Sequence, residues 1–373
     1  MATITGPIDV SALRARLDRA SRAAEQAGVD ALLISPGSDL RYLIGAGGDS
    51  FERLTCLALP VGGTPTLVVP KLEQPGYAAI PTDELGVEVV TWVDGEDPYA
   101  LVKAALKGTR VAVADMMPAL HTLKLGHAIG GPQSLAGPII RELRMRKDEA
   151  EIAALRKAGA AIDRVHARMG EFLRVGRTER EVARDIAVAI VEEGHTVADF
   201  VIVGSGPNGA SPHHRDSDRV IEAGEVVVID IGGPVAEGYN SDSTRTYVMG
   251  EPVFDDVRDT YAVLQAAQQA AVDFVKPGVT CEEVDAAARS VIADAGFGEF
   301  FVHRTGHGIG LDVHEEPYIV SGNSLPLEPG MAFSVEPGIY LPGRWGARIE
   351  DIVVATATGV ESFNNRPHEL VVL

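Results

Sequence analysis

At 373 residues the chain exceeds one typical domain, so two domains with sizeable cores are expected. Its formal charge of −20, from 53 acidic and 33 basic residues with no basic stripe, disfavours nucleic acid as a partner, because phosphates reward positive surfaces. Cys56 and Cys281 are too few for a disulfide framework; with no leader pattern in residues 1–22 and no apolar run near the roughly 20 residues of a membrane span, they predict a soluble cytoplasmic protein.

Residues 11–27 have helical periodicity, and Asp30-Ala-Leu-Leu-Ile-Ser reads as a strand running into the turn Pro36-Gly-Ser-Asp. Apolar runs at 56–59, 66–69, 87–93 and 110–114 alternate with helix-like segments such as 99–106. That alternation predicts an α/β amino-terminal domain over residues 1–140. The Gly/Pro-rich stretch 130–138 and the basic stretch 141–147 read as the linker, and the carboxy-terminal domain is placed at 141–373. Asp148-Glu-Ala-Glu offers a capping acid with another acid three residues on, and helical periodicity continues to Leu173.

The second domain contains a repeat. Gly176-Arg-Thr-Glu-Arg-Glu-Val and Gly278-Val-Thr-Cys-Glu-Glu-Val each open a helix with a Thr-x-x-Glu capping box, and the two helices close near Gly194 and Gly296. Downstream, Ile221-Glu-Ala-Gly-Glu-Val-Val-Val-Ile-Asp aligns without a gap on Leu327-Glu-Pro-Gly-Met-Ala-Phe-Ser-Val-Glu. Each copy ends in an acid, Asp230 or Glu336, and each is followed 12 to 14 residues later by a second, Asp242 or Glu350. The runs 226–229 and 331–335 read as buried strands, where an ionised side chain is costly without compensation. Two related halves facing each other would gather the matched acids into one cleft. His307, in the glycine-rich segment His303-Arg-Thr-Gly-His-Gly-Ile-Gly-Leu, completes a set whose four negative charges match two divalent cations. The expectation is a two-metal hydrolase in an α+β domain with pseudo-twofold duplicated halves.

Each residue alone has a plainer explanation. Asp230 could face solvent or cap an element, Asp242 could serve a turn, and His307 could be incidental to a tight glycine turn. His303 and His314 flank it, and His213-His214 follows Pro212 as an exposed loop pair would. The recurrence of the acids in two copies outweighs these readings. Gly204-Ser-Gly-Pro-Asn-Gly fits a dinucleotide fingerprint, with Asp230 suitably downstream. Pro212 and the polar run after it leave no helix to meet a pyrophosphate, and that reading is rejected.

Ser211-Pro-His-His, Val228-Ile-Asp-Ile-Gly, Tyr239-Asn-Ser-Asp-Ser-Thr-Arg-Thr, the segment from His303 to Pro317, Ser334-Val-Glu-Pro-Gly-Ile-Tyr and Arg348-Ile-Glu-Asp occur in that order over the carboxy-terminal half. They resemble the pita-bread metallopeptidases, which include prolidase (Xaa-Pro dipeptidase), aminopeptidase P and, without metals, creatinase. Ser35-Pro-Gly-Ser-Asp-Leu-Arg-Tyr-Leu-Ile-Gly is similar to the smaller creatinase-like amino-terminal domain of that family. The resemblance implies a pita-bread catalytic domain in which Asp230 holds one metal, Asp242 and Glu350 bridge two, and His307 with Glu336 completes the second. Such an all-oxygen-plus-one-histidine set favours Mn2+, with Co2+ or Zn2+ able to substitute, and the resemblance implies a homodimer. Glu336 would carry a proton to the leaving nitrogen, His303 and His314 would hydrogen-bond the scissile carbonyl, and His213 would line the proline side. Some prolidases grip the substrate carboxylate with an arginine between the positions of His314 and Glu336; residues 311–335 contain none, so Arg344 or Arg348 stands as the candidate, Arg348 also as a support for the ligands. The implied activity is hydrolysis of Xaa-Pro bonds in small peptides with proline second, as a dipeptidase. Aminopeptidase P acting on longer peptides and a non-catalytic peptide binder are the alternatives.

Overall fold

The computed structural model describes residues 9–48, 52–215 and 217–373, and the chain divides into two compact units, Met1–Arg144 and Met145–Leu373. The first is built on a mixed six-stranded sheet in the order Glu88–Trp92, Thr66–Pro70, Cys56–Pro60, Ala31–Ile34, Val111–Val113, Gln133–Leu135. The strands Ala31–Ile34, Cys56–Pro60 and Thr66–Pro70 are buried at every residue, which is why they read as continuous apolar runs. Asp9 caps the helix Val10–Gln26, which buries Leu13, Leu17, Ala20 and Ala24 along one stripe. One expectation fails here. The Gly/Pro-rich part of the stretch read as linker forms the edge strand Gln133–Leu135, parallel to Val111–Val113, and opens the helix Gly137–Arg144 with Ile139 and Ile140 buried, whereas the break between the units, after Arg144, does fall in the basic part. Glycine and proline there mark the turns around short elements rather than a gap between domains.

In the second unit the repeat is visible bond by bond. Thr178 and Thr280 both form complete capping boxes, with Glu181 and Glu283, on the helices Glu179–Glu192 and Cys281–Asp294. Gly176 N–H donates to Ile221 O at 2.9 Å, and Gly278 N–H donates to Leu327 O at 2.9 Å. The return bonds, Ile221 N–H to Arg177 O and Leu327 N–H to Val279 O, are both 2.8 Å. The strand Val226–Pro234 pairs antiparallel with Asn240–Val248, as Ala332–Val335 does with Asp351–Ala355. Alternate residues face inward: Val227, Ile229 and Ile231 pack with Ile162, Ile186 and Val203, and Phe333 and Val335 pack with Leu264, Val284 and Ile292. A residue of this kind stabilises by about 1.5–3 kcal/mol when fully buried.

The shift that carries the pair Val226–Val248 onto Ala332–Val354 carries Thr244 onto Glu350 and Asp242 onto Arg348. The two first acids, Asp230 and Glu336, are therefore equivalent, but the two second acids are not. Asp242 and Glu350 lie two residues out of register, a correction to the sequence alignment that follows from unequal hairpins. Equivalent positions also meet each other: Thr244 bridges Glu350, and the buried Arg245 pairs with Asp351 at 2.7 Å. Self-pairing of this kind marks a pseudo-twofold axis between the halves. The segment Gly204–Gly209 continues from the strand Phe200–Ser205 into a short 3-10 turn, Gly206–Ala210, with no α-helix to cradle a dinucleotide.

Candidate metal centre

The pseudo-twofold axis runs through a group of acids. On the first hairpin Asp230 faces Thr244 and Gly232 faces Asp242, so residues two apart on each strand put both carboxylates on one face. Glu336 follows the strand Ala332–Val335 directly, and Glu350 lies between Trp345–Arg348 and Asp351–Ala355. His307 is the middle residue of the strand Gly306–Gly308. A Cβ at Gly306 would fall on the carbonyl oxygen of Ser334, and one at Gly308 on that of Glu316. The glycines thus let neighbouring backbone close in while His307 projects.

The structure brings the five side chains together. Donor atoms of Asp230, Asp242 and Glu350 lie within 4.8 Å of one another, as do those of His307, Glu336 and Glu350 and those of Asp242, His307 and His314. Asp242, His307 and Glu350 each belong to two of these groups; a carboxylate has two oxygens to share between two ions, whereas His307 has only Nε2 to offer, its Nδ1 being engaged by Gly308 O. His307 Nδ1 lies 3.0 Å from Gly308 O, which leaves Nε2 facing Glu336 at 3.2 Å and Asp242 at 3.5 Å. Burial first, and neighbouring carboxylates second, push Asp242 and Glu350 well above the ordinary carboxylate range. Buried oxygens of Asp230 (Oδ1) and Glu350 (Oε1) have no hydrogen-bond partner. Unsatisfied, mutually repelling oxygens around one imidazole are a misfit by themselves and a fit for oxygen-preferring divalent cations.

Other predicted residues sort themselves by their partners. Arg348 is 2% exposed, and its three guanidinium nitrogens are all engaged: Nη2 with Asp230 at 2.6 Å, Nε with Thr244 Oγ1 at 3.0 Å and Nη1 with the Tyr340 hydroxyl at 2.7 Å. Thr244 in turn donates to Glu350 at 2.7 Å, so Arg348 steadies two of the acids and has no nitrogen left for a substrate. Arg344 is held by both oxygens of Asp256, at 2.8 and 2.9 Å, and does not line the cavity. Neither arginine therefore suits the carboxylate-gripping part. His303 has both nitrogens in use, Nδ1 with Arg304 O at 2.7 Å and Nε2 with the Tyr340 hydroxyl at 2.8 Å. Because the Arg304 carbonyl can only accept, the single proton of the neutral His303 ring sits on Nδ1, and the bare Nε2 accepts from the Tyr340 hydroxyl. Burial keeps that ring neutral. His303 accordingly anchors Tyr340, and a bond from it to a scissile carbonyl, as the sequence suggested, would break this chain.

His314 stacks edge-on against His307 with ring centroids 4.1 Å apart, and burial together with His307 holds it down to about 4. With exposed His213 it lines a cavity of about 680 Å3 that contains the five donors and the apolar Phe200, Ile202, Pro212 and Val313. His214 points elsewhere, to Glu179 at 2.8 Å. Glu179, fully buried, also accepts from Ser205 N–H and Ser217 Oγ, which fixes the loop that presents Pro212 and His213. Glu179, Thr244 and Tyr340 were missed from sequence. Glu179 looks like an ordinary first-turn acid after Thr178, and Tyr340 like a core strand residue.

Residues 153–357 match the profile of Metallopeptidase family M24, and residues 16–146 that of the Creatinase/Prolidase N-terminal domain. The crystal structure of dipeptidase PepE from Mycobacterium ulcerans is 61% identical and superposes with a TM-score of 0.94 over 98% of this chain and 99% of that one. Prolidase from Thermococcus sibiricus is 40% identical, with a TM-score of 0.90 over 99% and 100% of the two chains. The Xaa-Pro dipeptidase of Lactobacillus delbrueckii subsp. lactis is 38% identical over 96% of this chain and 98% of that protein. With a pita-bread catalytic unit behind a creatinase-type amino-terminal domain, the chain belongs to metallopeptidase family M24, whose chemistry depends on a pair of metal ions.

Proposed function

We propose that the chain hydrolyses the Xaa-Pro bond of dipeptides, using two divalent cations held by Asp230, Asp242, His307, Glu336 and Glu350. The observation that carries this reading is the buried convergence of those five donors in a cavity of about 680 Å3, a dipeptide-sized space. The similarity to proteins named dipeptidase and Xaa-Pro dipeptidase supports the substrate class. When bound, the cations would supply Lewis acidity to an attacking water and to the scissile carbonyl. Glu336, oriented by Ser334 Oγ at 3.0 Å, would accept the proton of that water and pass it to the departing proline nitrogen. His314, neutral at physiological pH, would donate a hydrogen bond to the oxyanion, and His213 would line the proline side. Arg348, anchored through Tyr340 to His303, would keep Asp230 aimed at its ion.

Proline has no amide hydrogen and a fixed ring, so a site that recognises the amine and the ring shape has an advantage over one that reads an extended backbone. Phe200, Ile202, Pro212 and Val313 offer the apolar surface such a ring needs. The oxygen-rich donor set supports Mn2+, with Co2+ or Zn2+ as substitutes. We extend the reading to a cytoplasmic location, supported by the two free, buried cysteines, and to a homodimer, supported by the family resemblance alone; separately, no helix among the described residues is long and apolar enough to cross a membrane. The test is hydrolysis of Ala-Pro and Ala-Pro-Ala with manganese, with and without chelator. Cleavage of the dipeptide that chelator abolishes is expected. Cleavage of the tripeptide alone would move the assignment to an aminopeptidase P activity, and inertness toward both at full metal occupancy would leave a peptide binder.

A further inference from the structure

A dipeptide brings a free carboxylate into a cavity already lined by five acids, Asp199 and the four predicted carboxylate ligands. The carboxylate needs a cation of its own, fixed in place and not already paired. Two arginines line the cavity, Arg348 and Arg304. Arg348 is consumed by Asp230, Thr244 and Tyr340, and residues 311–335 contain neither arginine nor lysine.

Arg304 has the opposite character. Its guanidinium carbon lies 4.4 Å from the centre of the Tyr318 ring, and among the described residues it has no carboxylate partner. Stacking occupies the face of the guanidinium and leaves its edge, with the N–H donors, open. Tyr318 stands directly opposite His307 in the antiparallel ladder, so its ring rises from the same sheet face as that predicted ligand. The backbone on either side of Arg304 is pinned. The Arg304 carbonyl takes the bond from His303 Nδ1, and Asp285 accepts from Thr305 N–H at 3.0 Å and from Thr305 Oγ1 at 2.8 Å. Arg289, paired with Asp285, donates to His303 O at 2.7 Å. A planar cation is thereby presented to the cavity from a fixed strand start, at low entropic cost of ordering.

We infer that Arg304 binds a carboxylate of the substrate, stacked on Tyr318 beside the metal centre. This rests on the dipeptidase reading for its substrate and takes it further, to the group that selects short acidic-ended peptides. The carboxylate has two sources, the free end of the dipeptide or an acidic side chain on its first residue, and one experiment separates them. Arg304→Gln and Arg304→Lys are compared with the wild type, all metal-loaded, on Ala-Pro, Ala-prolinamide and Glu-Pro. With the terminal carboxylate as ligand, Arg304→Gln raises KM for Ala-Pro roughly ten- to a hundredfold with kcat little changed, Arg304→Lys restores part of the loss, and Ala-prolinamide is unaffected. With the side-chain carboxylate as ligand, only Glu-Pro suffers. Calorimetric binding of N-acetyl-L-proline and of N-acetyl-glutamyl amide, which requires no hydrolysis, reads the same interaction should the wild type cleave none of the peptides. Unchanged KM and binding for every acid, or an equal loss on acid and amide, overturns the assignment.

Discussion

Tyr340 joins residues that would otherwise act apart. Its hydroxyl accepts from Arg348 and donates to His303, and it fits only because residue 338 is glycine, since a Cβ there would fall on that oxygen. Tyr340→Phe would leave Arg348 Nη1 short of a strong partner and His303 Nε2 unpaired, both in buried surroundings. A drop in kcat of roughly ten- to a hundredfold is expected, with a smaller change in KM and a stability loss of about 1–3 kcal/mol. Steady-state kinetics and urea denaturation of the variant check this, and wild-type kcat would disprove the tie. A second prediction concerns protons. Asp242 and Glu350 sit well above their ordinary values without metal, first because of burial, so in mildly acidic solution ions must displace protons to bind. Metal affinity should fall as pH falls, and calorimetry in buffers of different ionisation heats should register proton release on loading. Binding that releases none at pH 6 would contradict the acid cluster.

Among the elements, the two capped helices give a matched pair. Thr178→Ala and Thr280→Ala each remove one half of a capping box at equivalent positions, so each should cost about 1 kcal/mol, measured as a shift of the denaturation midpoint. A cost at one threonine only would mean the halves are not energetically alike. The helix Glu149–Ala167 adds a pH dependence through His166. Burial holds His166 at about 3 and His195 at about 4, while an unfolded histidine titrates near 6.5. Between those values the unfolded chain binds protons the folded one refuses, so stability is full above about pH 6.5 and falls with acid by up to about 1.4 kcal/mol per pH unit for each histidine. Denaturation of wild type and of the variant His166→Gln at pH 7.5, 6.5 and 5.5 checks the slope, which should flatten in the variant. Helix starts of this kind were legible in the sequence because a cap is a local event: Asp148, Thr178 and Thr280 carry their own signal. The edge strand Gln133–Leu135 was not, because three residues become a strand only through pairing with Val111–Val113. The slip of Asp242 against Glu350 was hidden too, since register is set by hairpin pairing that residue counts do not contain.

For the molecule as a whole, the duplication explains both what was legible about the centre and how the unit Met145–Leu373 should respond to its ions. The five donors stood out because acids inside apolar strands contradict their surroundings. The supports did not, because Glu179, Thr244 and Tyr340 look at home where they are. Asp230 and Asp242 come from one half and His307, Glu336 and Glu350 from the other, so an ion held by Asp230, Asp242 and Glu350 ties the halves across the pseudo-twofold axis. At a free metal concentration of about a thousand times Kd, binding to the folded state alone stabilises by about 4 kcal/mol. For a unit of this size that corresponds to a Tm raised by roughly 8–16 °C, a gain chelator should remove. Glu350→Gln keeps the shape of the side chain, deletes one of the crowded charges and weakens the shared position. It should therefore lose the metal-dependent shift while its metal-free Tm equals or exceeds that of the metal-free wild type, because the carboxylates repel one another when no cation lies between them. Scanning calorimetry of both proteins with and without manganese decides it: an undiminished shift in Glu350→Gln would show that the halves are not joined through this residue, and a metal-free variant much weaker than metal-free wild type would show that Glu350 serves the fold before it serves the ions.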